Sequence, residues 1–150
     1  MKTIELTQGY RTTISDEDFE SLSLYEWSIH NSGNKVYARG VVNGKKLYIH
    51  RFLMSLKKGE YCDHANGNTL DNQRSNLRIC TNSQNLANRG AQKNNTSGYK
   101  GVVWQKQIKQ WMVRIGTTYI GIFKDKTEAA KAYNKAALER YGEYAQLNIC

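Results

Sequence analysis

The sequence predicts an α+β protein made of small antiparallel sheets, each backed by a short helix. Three observations lead there. Short runs such as VYARGVV and KKLYIH alternate apolar and polar residues between turn signals, the period of half-buried strands. Two helix starts are written as capping boxes, Thr81 with Gln84 and Asp125 with Glu128. A chain of 150 residues that is 39% hydrophobic, with a mean hydropathy of −0.71, can support two modest cores more readily than one large one.

Taken in order, residues 1–49 read as an antiparallel β region. KTIELT and YRTTI are strands, and Ser15 is placed to cap a short acidic helix beginning at Asp16. Asn43-Gly44 between two alternating runs marks a tight hairpin, and Asn31–Asn34 mark a second turn. Trp27, Tyr37 and Tyr48 are expected to pack over one sheet face. Residues 50–90 begin with a helix over His50–Leu56, stopped by Gly59. EYCDH and NLRIC then form a long hairpin around the polar loop 65–75, and a helix opens at Thr81 and ends at Gly90. Residues 91–98 have a linker's composition. Residues 99–150 carry three strands (YKGVVWQ, KQWMVRIG and TTYIGIF), then a helix over 126–141. Ala129, Ala132, Tyr133, Ala136 and Ala137 give that helix a face small enough to lie close on the sheet. Proline is absent, so Gly, Asn and caps alone punctuate the chain.

The net charge is +9 and the sequence pI ≈ 9.5, which favours a polyanionic partner. Residues 1–49 are net neutral, whereas 50–98 carry 7 Lys/Arg against 3 Asp/Glu and 99–150 carry 9 against 4. No long apolar run or lipidation signal points to a membrane, and MKTIELTQGYRTT lacks the apolar centre of a signal peptide. The 3 cysteines form no C-x-x-C pair, so a reducing, cytoplasmic setting is expected, with Cys62 and Cys80 as small buried hydrophobes.

The chemistry concentrates in Asp63-His64, Asn76 and Asn85. Oxygen ligands from Asp63 and Asn85 suit a hard, hydrated cation, Mg²⁺ or Mn²⁺. His64 beside such an ion suits a general base acting on water, its ring oriented by a backbone carbonyl of the loop. Asn76 reads as a structural tie for the loop. His50 supports the site or packs beneath it, and Arg51 contacts a phosphate or makes a structural salt bridge.

With His50-Arg51, Asp63-His64, Asn66-Gly67, Asp71-Asn72, Asn76-Leu77-Arg78 and Asn85, the stretch 50–89 resembles the HNH endonucleases, and most of all their phage homing-type members. That resemblance implies a ββα-metal unit with His64 as base and Asp63 and Asn85 on the metal. Residues 98–148 resemble an AP2 domain through Tyr99-Lys100-Gly101-Val102, Trp111, Gly121-x-Phe123 and EAAKAYNKAALERYGEYAQLN. In that family the three-stranded sheet reads duplex DNA, which makes Lys100, Trp104, Trp111 and Arg114 contact candidates, with a core role the alternative for Trp111. Together these imply a metal-dependent DNA endonuclease of homing or nicking type, a monomeric nickase with no evident protein partner. It would work in the cytoplasm of the host cell if phage-encoded. The rival is a DNA-binding regulator with an inactive nuclease site.

Overall fold

Alternation becomes four small sheets in the computed structural model, which describes residues 1–150. The α+β class holds, and the chain divides into two units, Met1–Asn85 and Leu86–Cys150.

In the first unit, β1 (Lys2–Glu5) and β2 (Arg11–Ile14) pair antiparallel. After α1 (Phe19–Ser23) comes a meander of β3 (Trp27–Ser32), β4 (Lys35–Val42) and β5 (Lys45–Tyr48). Asn43 and Gly44 turn its hairpin with φ of 49° and 76°, the left-handed pair that a two-residue loop demands. Gly40 stands opposite Trp27, and a Cβ there would lie 2.6 Å from Glu26 O and 2.8 Å from the indole, so only glycine lets the ring lie flat. Register also corrects the expected aromatic face. Trp27 shares a face with Ala38 and Val42 in the core, while Tyr37 and Tyr48 project from the other.

Next come α2 (Ile49–Leu53), β6 (Tyr61–His64), β7 (Asp71–Asn72), β8 (Leu77–Cys80) and α3 (Asn82–Ala87). β6 and β8 pair antiparallel, with Asp63 opposite Arg78 and His64 opposite Leu77. β7 pairs in parallel with β2, Ile14 against Asn72. Residues 1–49 therefore do not stand apart. Leu6, Ile14, Leu22 and Trp27 close one core with Ile49, Leu53 and Leu77. Ser15 precedes a 3₁₀ turn at Asp16–Asp18, but its side chain does not cap it. Its hydroxyl instead accepts from Arg74 N at 3.0 Å. Arg74 also grips the buried Asp18 carboxylate, at 2.7 Å from Nη2, which fastens the loop arm to the N-terminal region. The Thr81–Gln84 box is reciprocal, with Thr81 N donating to Gln84 Oε1 at 2.8 Å and Gln84 N to Thr81 Oγ1 at 3.2 Å.

The second unit is a sheet in the order β11-β10-β9, built from β9 (Val102–Gln105), β10 (Gln110–Ile115) and β11 (Thr118–Phe123), with α4 (Lys126–Tyr141) packed on it. Asp125 caps α4 by accepting from Glu128 N at 2.8 Å. Val102, Val113 and Ile115 meet Ala129, Ala130, Tyr133 and Ala137 in the core. Gly101, at φ +73°, is required here, since a Cβ would fall 2.3 Å from the Tyr133 ring. The stretch expected as a linker is knitted by its own side chains. Asn95 donates to Tyr99 O at 2.8 Å and accepts from Gly98 N at 2.8 Å, while Ser97 is buried.

Candidate active site

β6 delivers Asp63 and His64 side by side, and both are buried. Consecutive strand residues point to opposite faces, so each meets a different set of partners. Asp63 faces its cross-strand neighbour Arg78, whose guanidinium forks onto it with Nε 3.0 Å from Oδ1 and Nη2 2.9 Å from Oδ2.

His64 lies in a cluster of rings. His50 meets it edge-on at 5.2 Å between centroids, Tyr37 stands at 6.4 Å, and Tyr48 stacks on His50 at 5.4 Å. On its other side, His64 Nε2 is 3.1 Å from Asn72 Oδ1. The Nε2 partner is thus a side-chain amide, where the sequence pointed to a backbone carbonyl. Burial pushes the His64 imidazole below the usual histidine range, against the Asn72 hydrogen bond, which pulls it up. Burial, reinforced by His64 and Arg51, takes His50 down to about 3. Both rings are neutral at physiological pH, as a ring that accepts a proton must be.

The loop above them is held by asparagines. Asn76 Nδ2 donates to Asp71 O at 2.7 Å, and its Oδ1 accepts from Asn66 N at 3.0 Å. Asn66 Nδ2 in turn donates to Asp71 Oδ2 at 2.8 Å. Gly67, at φ 76°, makes the bend.

Asn85 sits half-buried on α3, its backbone N–H bonded to Thr81 O at 3.0 Å. The donor chemistry of Asp63 and Asn85 fits a hydrated, oxygen-loving divalent ion. Arg78 takes one lone-pair direction on each Asp63 oxygen and leaves another. No group of three or more His, Cys, Asp or Glu is gathered to hold a metal ion.

Several expected DNA contacts are placed elsewhere. Arg51 donates to Lys57 O at 3.0 Å and Glu60 O at 3.2 Å, so it braces the turn after α2. The Lys100 ammonium is directed at the carbonyls of Ala87 and Arg89, and burial lowers it to about 8. Trp104 and Trp111 are cross-strand partners with ring centroids 4.8 Å apart, on the same sheet face as Val102 and Val113, the face that α4 covers. The opposite face carries Val103, Met112 and Ile122 in one cross-strand row, with Arg114 and Tyr119 below it. Of the four candidates in this unit, Arg114 alone stands on that open face, exposed.

Sequence reasoning gave no role to Asn72, Thr12 or Arg78. Asn72 and Arg78 lay inside the matched motif, which was the available signal. Thr12 stands 60 residues from Asn72 and carried none.

A family model for HNH endonucleases matches residues 48–87, the stretch from the end of β5 to α3. Over 94% of its length, the chain is 33% identical to an uncharacterized HNH endonuclease of Acanthamoeba polyphaga mimivirus, covering 76% of that protein. It is also 31% identical to Protein 3.8 of Escherichia phage T7, over 61% of this chain and 78% of that one. No solved structure matches.

Proposed function

The chain belongs to the HNH endonuclease family, and from that premise we propose that it is a metal-dependent endonuclease that nicks duplex DNA. The observation that carries this reading is His64, held neutral and buried beside Asp63 at the head of the asparagine-tied loop. His64 takes the proton from the attacking water, and Asn76 keeps the loop closed over it. Mg²⁺ or Mn²⁺ held by Asp63 and Asn85 would stabilise charge on the leaving 3′ oxygen. Hydrolysis then leaves 5′-phosphate and 3′-hydroxyl ends. Arg78 holds the Asp63 carboxylate in place through its two-pronged grip. The second unit is proposed as an AP2-type module that grips duplex DNA through the open sheet face around Arg114. Residues 99–150, with 9 Lys/Arg against 4 Asp/Glu, supply a salt-sensitive attraction to phosphates. One active site per chain supports a monomer making single-strand breaks, of the homing or nicking type. A phage protein among its relatives supports action in the cytoplasm of a host cell. No helix is long and apolar enough to cross a membrane.

One observation favours the rival, an inactive DNA-binding regulator. Both Asp63 oxygens already bond to Arg78. A supercoiled plasmid carrying the uninterrupted native locus, incubated with Mg²⁺ or Mn²⁺, separates the two. The nuclease converts it to open circle, and His64→Ala slows that conversion roughly 10²- to 10⁴-fold while duplex affinity holds, the range of a lost general base. Retained binding with no cutting by the unaltered protein would establish the regulator.

A further inference from the structure

We propose that Thr12 and Asn72 are positioning residues that decide which ring nitrogen of His64 carries the hydrogen. Only the consequence for rate rests on His64 being the base; the tautomer itself does not.

The polarity of the contacts runs in one direction. Leu70 O is a carbonyl and can only accept. The Thr12 hydroxyl donates to it at 2.8 Å, which leaves only lone pairs on Oγ1. Those accept from Asn72 Nδ2 at 2.8 Å, and this turns Asn72 Oδ1 toward His64 Nε2, 3.1 Å away. Oδ1 also can only accept, so Nε2 holds the hydrogen and the basic lone pair of the neutral ring lies on Nδ1. Turning the amide round would let Asn72 donate to Nε2 and accept from Thr12, at the loss of the Thr12–Leu70 hydrogen bond. Leu70 O would keep only Thr13 N, at 2.9 Å. One such bond is a roughly five- to tenfold preference in population. Thr12 and Asn72 are 0% and 1% exposed, so water cannot replace the missing partner. The parallel pairing of β2 with β7 is what brings the two together, Ile14 beside Asn72. Strand β2 is in this sense part of the proposed active site.

The test uses the full chain labelled with ¹⁵N-histidine, with long-range ¹H–¹⁵N correlation of the neutral His64 ring. The unaltered protein should show hydrogen on Nε2. Thr12→Val keeps the side chain's shape but removes the hydroxyl, so the amide loses its preferred direction and the ratio of Nδ1–H to Nε2–H rises about five- to tenfold. Plasmid nicking should fall about twofold in kcat with KM unchanged, as the Nε2–H share drops from more than roughly four-fifths to about half, and Thr12→Ser should restore both. Asn72→Asp offers Nε2 an acceptor only, and should keep the Nε2–H form even if Thr12→Val fails to fold. Hydrogen on Nδ1 in the unaltered protein or in Asn72→Asp overturns the relay, as does a Thr12→Val ring identical to the original. If the tautomers behave as stated but no version cuts DNA, the relay stands and the nuclease reading falls.

Discussion

Residues 1–85 bury seven polar side chains, from Thr12 and Asp18 to Asn72 and Asn76, whereas residues 86–150 bury one, Ser97, and otherwise close on Val, Ile, Ala and a single Tyr. No buried side-chain nitrogen or oxygen lacks a partner, so the polar groups of the first unit form satisfied networks. The difference follows from what each unit has to hold. An apolar contact is non-directional and tolerates small slips, which suffices for a helix lying on a sheet. An imidazole and a carboxylate must be held by atom and by angle, and only hydrogen bonds do that. The first unit therefore accepts the desolvation of polar groups in exchange for geometry.

Three changes put that contrast under strain. The largest effect is expected from Arg78→Met, which leaves the buried Asp63 carboxylate without its guanidinium. The side chains are 16% and 3% exposed, so solvent offers little relief, and a loss of about 3–5 kcal/mol is expected. Residue-level hydrogen exchange should show that loss within 1–85 and spare 86–150. Adding Asp63→Leu should recover most of the stability while cutting stays abolished. A loss under about 1 kcal/mol for Arg78→Met would break the contrast.

The second change is acid. His30, His50 and His64 all lie in the first unit. The folded-state pKa of His50 is depressed from 6.5 to about 3, so its contribution to stability is complete above 6.5 and is lost as pH falls toward 3. Between pH 6.5 and about 5, that one ring should cost the first unit about 2 kcal/mol, and the depressed His64 adds in the same direction. Protection in 86–150 should stay flat over the same interval. A parallel decline in both units would show that the histidines are not its source.

The smallest effect sharpens the second unit's side of the contrast. Arg114→Ala on the open face should weaken duplex binding by about 1 kcal/mol and lower the salt slope by about one. Trp104→Ala, on the helix-covered face, should disturb packing more than binding. Reversed effects on affinity would return the DNA contact to the tryptophans.

Local chemistry was legible at three places where partners are a few residues apart, and failed at Ser15, whose hydroxyl is drawn off by Arg74 N. Thr81 with Gln84, Asp125 with Glu128 and the Asn43-Gly44 turn are interactions of short span, and the structure shows each of them. Strand parity was the weak point. The alternation in GVVWQK does not say which face a helix will cover, so Trp104 and Trp111 stood as contact candidates, with a core role the alternative for Trp111, and their register with Val102 and Val113 puts both on the covered face. Arg51 and Lys100 show a second weakness, because a basic residue looks the same in sequence whether it meets a phosphate or a backbone carbonyl.

By itself, then, the sequence determined the α+β class, the capped starts of α3 and α4 and the Asp63-His64 pair, because caps, turns and side-chain period act over one turn or one strand. Tertiary structure alone decided that Arg78 clasps Asp63, that His50 and Tyr37 flank His64 with Tyr48 stacked on His50, and that Thr12 reaches Asn72 across 60 residues. Those contacts depend on β2 lying parallel to β7 and on the β6–β8 register. Such pairings are set by the closure of the whole core and leave no periodic trace along the chain.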